Sequence, residues 1–190
     1  MKPKLGFDLV ILGAPASGKN TQADLLLSKF NLKAVESGKY LRKFSKTPEG
    51  ARKLKNNFGK GLPAPIGVIV DFIKKNVTSI PAGKNLLFVG NPRLKPEAES
   101  LNRLLTQKGR DYLVIYLTLP AREIIKRTVK RLRDDRDKNP VYLKNRIRYA
   151  QTEDRRTLEY FRKLNKLRLV NGNRPKSAVA ADIKRILHDR

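Results

Sequence analysis

The sequence predicts an α/β fold in which about five parallel strands carry helices on both faces. Three observations predict it. Short apolar runs such as FDLVILG, NLLFVGN and DYLVIYLTL recur along the 190 residues, as expected of strands buried on both sides. Stretches with helical apolar spacing lie between them, so strands and helices alternate. A glycine-rich loop follows the first run and leads into a helix. No internal repeat and no linker rich in Gly, Pro and Ser interrupts the chain, so residues 1–190 read as a single domain.

The elements follow in order. Residues 7–13 form a strand, a short apolar run ending in Gly13. Residues 21–30, TQADLLLSKF, have helical spacing, and 32–37, LKAVES, read as a second strand before a helical GKYLRKF. The polar stretch 47–61 is helical from Pro48, and 65–77 form an amphipathic helix with Pro65 near its first turn. NLLFVGN is a strand, and PEAESLNRLLTQKG is a helix ending at Gly109. DYLVIYLTL is another strand, after which Pro120 opens a helix running to about Lys130. A charged link precedes a long helix from about Pro140 to Lys166. LRLVNG and SAVAADIKRIL supply the last strand and the last helix.

Composition excludes several classes of function. No run approaches the ~18 apolar residues of a membrane span. The basic start MKPK and the apolar run after it could imitate a secretion signal, but that run leads directly into the glycine loop and reads as a buried strand. Cysteine is absent and His188 is the single histidine, which removes disulfides, thiolate sites and histidine-cluster metal sites. A reducing, cytoplasmic compartment fits. Lys and Arg number 43 against 17 Asp and Glu, a net charge of +26. Such a field attracts polyanions, whether nucleotides, RNA or anionic surfaces. The basic residues are spread along the chain with no tail, so general solubility explains the charge equally well.

GAPASGKNTQ, residues 13–22, is the stretch that carries chemistry. Glycines at 13 and 18 let the backbone curl so that successive N–H groups point inward. The helix that follows adds its positive end, and Lys19 adds a mobile charge. Asn20 stands where a strict phosphate loop has Ser or Thr, and Thr21 follows one residue later. This pattern, GAPxxGKxTQ, resembles the loop of adenylate kinases and related nucleoside monophosphate kinases. The resemblance implies a P-loop NTPase-like sheet, with Gly13, Ala16, Ser17, Gly18, Lys19, Asn20 and Thr21 around the phosphates of ATP.

Other segments continue the likeness in the same order. SGKYLR resembles the family's S/T-G-D-x-L-R, which implies that Ser37, Gly38 and Arg42 hold the nucleoside monophosphate. VGNPR resembles D-G-F-P-R and adds Gly90 and Arg93 to that subsite. LPAREIIKRTVKR resembles the helix leading to the lid, with Arg127 along the donor adenine and Arg131 on the donor phosphates. KNRIRYAQT is similar to the R-L-x-x-Y helix and offers Arg146 to the group in transfer. LVNGNRPK resembles the adenine-side loop and brings Arg174. The family's monophosphate-binding insert falls at about 37–80, and its lid is reduced to a stub at about 132–140. Within the stub, spacing allows either Arg133 with Asp135 or Asp137 as the family's Arg-x-Asp pair.

The implied reaction is reversible transfer from ATP to a monophosphate, most simply AMP, with Mg²⁺ accompanying ATP. Lys19, Arg42, Arg93, Arg131 and Arg146 would neutralise the moving phosphoryl group, because guanidinium forks bind phosphate oxygens in pairs and stay charged. Three positions depart from the family. Val89 and Lys39 stand where it has acids on the Mg²⁺ side, leaving Thr21 as a candidate metal contact. Glu97 stands where it has a Gln that reads the acceptor base. Glu36 is either a replacement acid or a strand-end surface charge. A weak or inactive relative that binds RNA through its basic surface is the alternative reading. A short lid also raises the expectation of a homo-oligomer in which a neighbour covers the site.

Overall fold

The sheet is built from β1 (Asp8–Gly13), β2 (Leu32–Glu36), β3 (Asn85–Val89), β4 (Tyr112–Thr118) and β5 (Leu167–Asn171). The computed structural model describes residues 2–130 and 139–190, apart from the side chains of Arg146, Ala150 and Gln151. All pairings are parallel, in the order β2–β3–β1–β4–β5. Leu9, Val10 and Ile11 have no exposed surface because β1 has a strand on each side and helices on each face. After β1 the chain moves to one edge, and it crosses to the other side of β1 only at β4. The carboxyl end of β1 is therefore the switch point where α/β sheets open a crevice for ligands.

The described helices are α1 (Lys19–Lys29), α2 (Ser37–Phe44), α3 (Pro48–Leu54), α4 (Ile66–Thr78), α5 (Lys95–Gln107), α6 (Ala121–Lys130), α7 (Pro140–Lys163) and α8 (Lys176–His188). Alternate residues of β1 enter two separate cores. Leu9 and Ile11 pack with Ala23 and Leu26 of α1 and Val179 and Ile183 of α8. Val10 and Leu12 pack with Ile73 of α4, Leu101 of α5 and Phe161 of α7. The period of two along the strand thus becomes two helix layers.

Helix boundaries follow local chemistry. Thr47 Oγ1 accepts from the Gly50 N–H at 3.1 Å, and Pro48 fills the first turn of α3. Asn139 caps α7 in the same way, accepting from Val141 and Tyr142. The helix expected over 21–30 begins two residues earlier, at Lys19, because Gly18 adopts the left-handed conformation at its N-cap. The stretch 47–61 is not one helix but α3 followed by a 3-10 turn, Phe58–Lys60. The long helix ends at Lys163 rather than Lys166, where the chain turns through Asn165 at φ +56°. Tyr40 stacks on Phe72 at 4.4 Å and on Phe44 at 5.4 Å, which holds α2 against α4. No described helix is long and apolar enough to cross a membrane.

Asp8 sets where the central strand begins. It is fully buried, and its carboxylate accepts from Arg110 Nε at 2.8 Å, from Arg110 Nη2 at 2.6 Å and from the Leu86 N–H at 2.7 Å. One acid thereby ties β1 to β3 and to the turn before β4. Removing one partner of such a pair leaves a buried, uncompensated charge. Arg110→Ala is expected to lower stability by about 3 kcal/mol, read from the urea midpoint. An unchanged midpoint would show that the Leu86 N–H alone satisfies this carboxylate.

Candidate active site

The loop from Gly13 to Gly18 leaves the sheet through a space with no room for a side chain. A Cβ on Gly13 would lie 2.6 Å from Ser17 Oγ and 2.8 Å from the Leu117 carbonyl oxygen. The Ser17 N–H donates to the Ala14 carbonyl at 3.2 Å, closing the curl. Lys19 Nζ reaches back to the same carbonyl at 3.0 Å. Gly18 offers no side-chain cap to α1, so the first-turn N–H groups of that helix remain open to an anion. Ser17 Oγ is buried and, among the described residues, has no hydrogen-bond partner. On the far side, a Cβ on Gly172 would lie 3.1 Å from the Ser17 carbonyl oxygen, so the loop after β5 backs directly onto this one.

The facing wall comes from the ends of β2 and β3. Ser37 Oγ donates to the Gly90 carbonyl at 3.2 Å, and Asn91 Nδ2 donates to the Val35 carbonyl at 3.0 Å. Gly90 has φ +71°, and a Cβ there would lie 3.5 Å from Lys19 Cε and 3.8 Å from Arg93 Nη2. Two cations from different segments thus meet over one glycine. Arg93 is held firmly: its Nε donates to the Gly90 carbonyl at 3.0 Å, and its own carbonyl accepts from Thr157 Oγ1 at 2.8 Å. Arg42 lies on α2 with its guanidinium near Gly38, 3.6 Å from where a Cβ would be. These walls border an open cleft lined by Ala16, Ser17, Gly18, Lys19 and Asn20, and by Glu36, Ser37, Gly38, Lys39, Arg42, Val89, Gly90, Arg93 and Thr128.

The structure brings most of the expected residues together, but not all. Thr21 follows Asn20 in the first turn of α1 and is not among the cleft-lining residues. Glu97 also has a structural role. It is 2% exposed, and its Oε2 accepts from the N–H groups of Arg93 at 2.7 Å and Leu94 at 3.3 Å. Leu94 at the N-cap has no polar side chain, so Glu97 satisfies the helix end instead. Burial pushes its carboxyl up, partly offset by those N–H groups and by Arg93. Its Oε2 is therefore engaged by the backbone at the start of α5.

Arg127 braces the loop after β5, donating to the Gly172 carbonyl at 3.3 Å and to Asn173 Oδ1 at 2.8 Å while pairing with Glu123. Arg174 pairs with Asp182 at 2.6 Å. Arg131, Arg133, Asp134, Asp135 and Asp137, with most of the lid stub, lie outside the described residues, as does the side chain of Arg146.

Three polar side chains were not foreseen. Thr128 lines the cleft with a buried hydroxyl that has no partner among the described residues. Tyr149 and Asp154, both on α7, border an adjoining recess with Gly13, Pro15, Gly90 and Arg93. Tyr116 donates to Asp154 Oδ2 at 2.8 Å. Burial pushes the Asp154 carboxyl up, while the Tyr116 hydroxyl and the charges of Arg93 and Lys19 pull it back. The available signal was spacing: Asp154 shares a helix face with buried Thr157 and Phe161, so an acid stands on an inward stripe.

Comparison with known proteins then fixes the lineage. The family model described as adenylate kinase matches residues 11–166. The chain belongs to the adenylate kinase family. An adenylate kinase from Phocaeicola vulgatus is 28% identical over 93% of this chain and 95% of the relative. One from Bacteroides fragilis is 29% identical over 93% and 95%, and one from Parabacteroides distasonis is 31% identical over 81% and 83%. The chain is accordingly a nucleoside monophosphate kinase, an enzyme of phosphoryl transfer between nucleotides.

Ala16 is the strained point of the family loop, a non-glycine residue at φ +59°. That conformation costs a residue with a Cβ roughly 1–2 kcal/mol. Glycine recovers this strain but loses more chain entropy on folding. Ala16→Gly is therefore expected to raise stability by about 0.5–1 kcal/mol, measured by thermal melting without nucleotide. A fall in melting temperature would show that the methyl group packs favourably enough to outweigh the strain.

Proposed function

We propose that the chain transfers the terminal phosphoryl group of ATP to AMP, forming two ADP, and does so reversibly. The observation that carries this reading is the convergence of Lys19 and Arg93 over Gly90. One cation belongs to the loop at the head of α1, and the other stands at the end of β3 across the cleft. Two phosphate chains meeting end to end require this arrangement, because transfer depends on alignment and on neutralising charge at the moving group.

In this reading the open N–H groups of α1 and Lys19 hold the donor phosphates. Arg42 and Arg93 hold the acceptor phosphate in paired hydrogen bonds. The hydrogen bonds that fix Arg93 at its side chain and backbone reduce the reorganisation needed when the acceptor arrives. Arg127 keeps the loop at Gly172 and Asn173 in place beside the phosphate loop, where the donor base would lie. The family resemblance assigns Arg131 and Arg146 to the transferring phosphates, though Arg131 and the Arg146 side chain lie outside the described residues, and it assigns Arg174 to the donor base.

Mg²⁺ enters with ATP. No cluster of three acids or histidines stands ready to bind a metal among the described residues, which suits an ion whose inner ligands are phosphate oxygens and water. Bound there, the ion would draw charge from the phosphates; Glu36 lines the cleft and fits it, whereas Thr21 is not among the lining residues.

AMP is the acceptor on the strength of the relatives' names. The test is initial rates of ADP formation from ATP with AMP, GMP, CMP and UMP in turn. AMP should give the highest kcat/KM by at least about tenfold, the size of one lost base contact. A higher value for another monophosphate would overturn the acceptor assignment, and no ADP with any of them would overturn the reaction.

A further inference from the structure

An acid lines the phosphate cleft where charge alone would exclude one. The wall carries Lys19, Lys39, Arg42 and Arg93, and among the described lining residues a single carboxylate, Glu36. Two like charges 4 Å apart repel by about 1 kcal/mol even in bulk water, and by several times that in a cleft. A free carboxylate at this place therefore works against the triphosphate that the cations collect.

The fold gives Glu36 no other task. It occupies the N-cap of α2, yet its side chain makes no capping hydrogen bond. Among the described residues it has no ion pair, despite four cations in the same cleft. Its position is defined by the sheet. It is the last residue of β2 and the register partner of Val89 at the end of β3. Paired residues of parallel strands share a face, and Val89 belongs to the core under α1. Glu36 thus stands on the α1 side, at the rim from which the phosphate loop rises.

A second polar group lines the same cleft, on the β4 side of the phosphate loop. Ser17 Oγ is buried, lines this cleft and lacks a partner among the described residues. A serine hydroxyl both donates and accepts, so it suits a phosphate oxygen or a water equally. A carboxylate only accepts. What it can accept from here, in a site otherwise filled by phosphate oxygens, is water held by a cation that arrives with the phosphates.

We propose that Glu36 accepts hydrogen bonds from the water ligands of the Mg²⁺ ion carried by the nucleoside triphosphate, and so makes triphosphate binding conditional on the divalent ion. The inference rests on the reading of the cleft as an ATP site. Without metal, Glu36 opposes the triphosphate; with metal, it becomes a positioning residue for the hydrated ion. Mg²⁺ keeps several waters and uses few protein carboxylates, so one acid acting through water is sufficient. Partners of this kind change metal affinity by roughly 10–100-fold.

The experiment is calorimetric titration of wild type and Glu36→Gln with ATP, once in excess Mg²⁺ and once in EDTA. The readout is the ratio of the two dissociation constants. In wild type, Mg²⁺ should tighten ATP binding. In Glu36→Gln the EDTA affinity should rise, the Mg²⁺ affinity should fall, and the ratio should shrink by about tenfold or more. Glu36→Asp, which keeps the charge but shortens its reach, should fall between them. Adding Val89→Asp to Glu36→Gln places an acid one strand over and should restore part of the ratio. Thermal melting identifies any variant that has lost its fold, and the remaining ones still decide the question. An unchanged ratio in Glu36→Gln, or one equally reduced in Glu36→Asp and not restored by Val89→Asp, would overturn the proposal. Failure of wild type to bind ATP under either condition would instead overturn the ATP site itself.

Discussion

Everything at the site depends on how the chain leaves β1. The strand is the middle of the sheet, and its last residue lies against the Leu117 carbonyl of β4 with no space for a Cβ. The backbone must then curl over itself, from the Ala14 carbonyl to the Ser17 N–H, before α1 begins at Lys19. A larger residue at 13 would force the loop outward and separate the N–H groups from Lys19. The facing glycines at 90 and 172 serve the same arrangement. One admits Lys19 and Arg93 to a common space, and the other lets the loop after β5 lie against the phosphate loop.

Much of this was legible in the sequence, for a physical reason. Strand runs and glycine spacing are local, and a strand–loop–helix unit carries its own geometry in the chain. The inner strands β1, β3 and β4 lie where the apolar runs put them, because strands buried on both faces need continuous apolar residues, whereas the edge strands β2 and β5 mix buried and exposed positions. Errors gathered at helix ends, where one left-handed residue decides the outcome: Gly18 before α1 and Asn165 after α7. The uncapped N-terminus of α5 is the instructive case. Leu94 cannot cap, so Glu97 takes both N–H groups, and a residue expected at the acceptor base also secures a helix end.

What the sequence concealed comes from elements distant in the chain. Asp154 reaches the site only because α7 packs across the ends of β1 and β3, bringing a buried acid beside Arg93 while Tyr116 of β4 holds its other side. Such an acid is tolerated because Lys19 and Arg93 offset its charge. The site is thus an assembly of opposed charges more than a pool of positive ones. Asp8 anchors the start of the central strand, Asp154 stands behind the cations, and Glu36 faces the cleft. The +26 net charge supplies the surrounding field, while Asp8 holds Arg110 and Asp154 stands near Arg93 and Lys19.

The central claim is that this loop works as a phosphate site although Asn20, Lys39 and Val89 depart from the family pattern. The most direct measurement is the rate of ADP formation by Lys19→Met, with melting temperature as the control. The variant removes one mobile charge, which bonds the Ala14 carbonyl and offsets the charge of Asp154, so melting shows whether the variant is still folded. The account predicts a fall in turnover of at least about a thousandfold, the scale of losing a charge aimed at a transferring phosphoryl group, in a variant that still melts cooperatively. Turnover equal to wild type in the folded variant would contradict it.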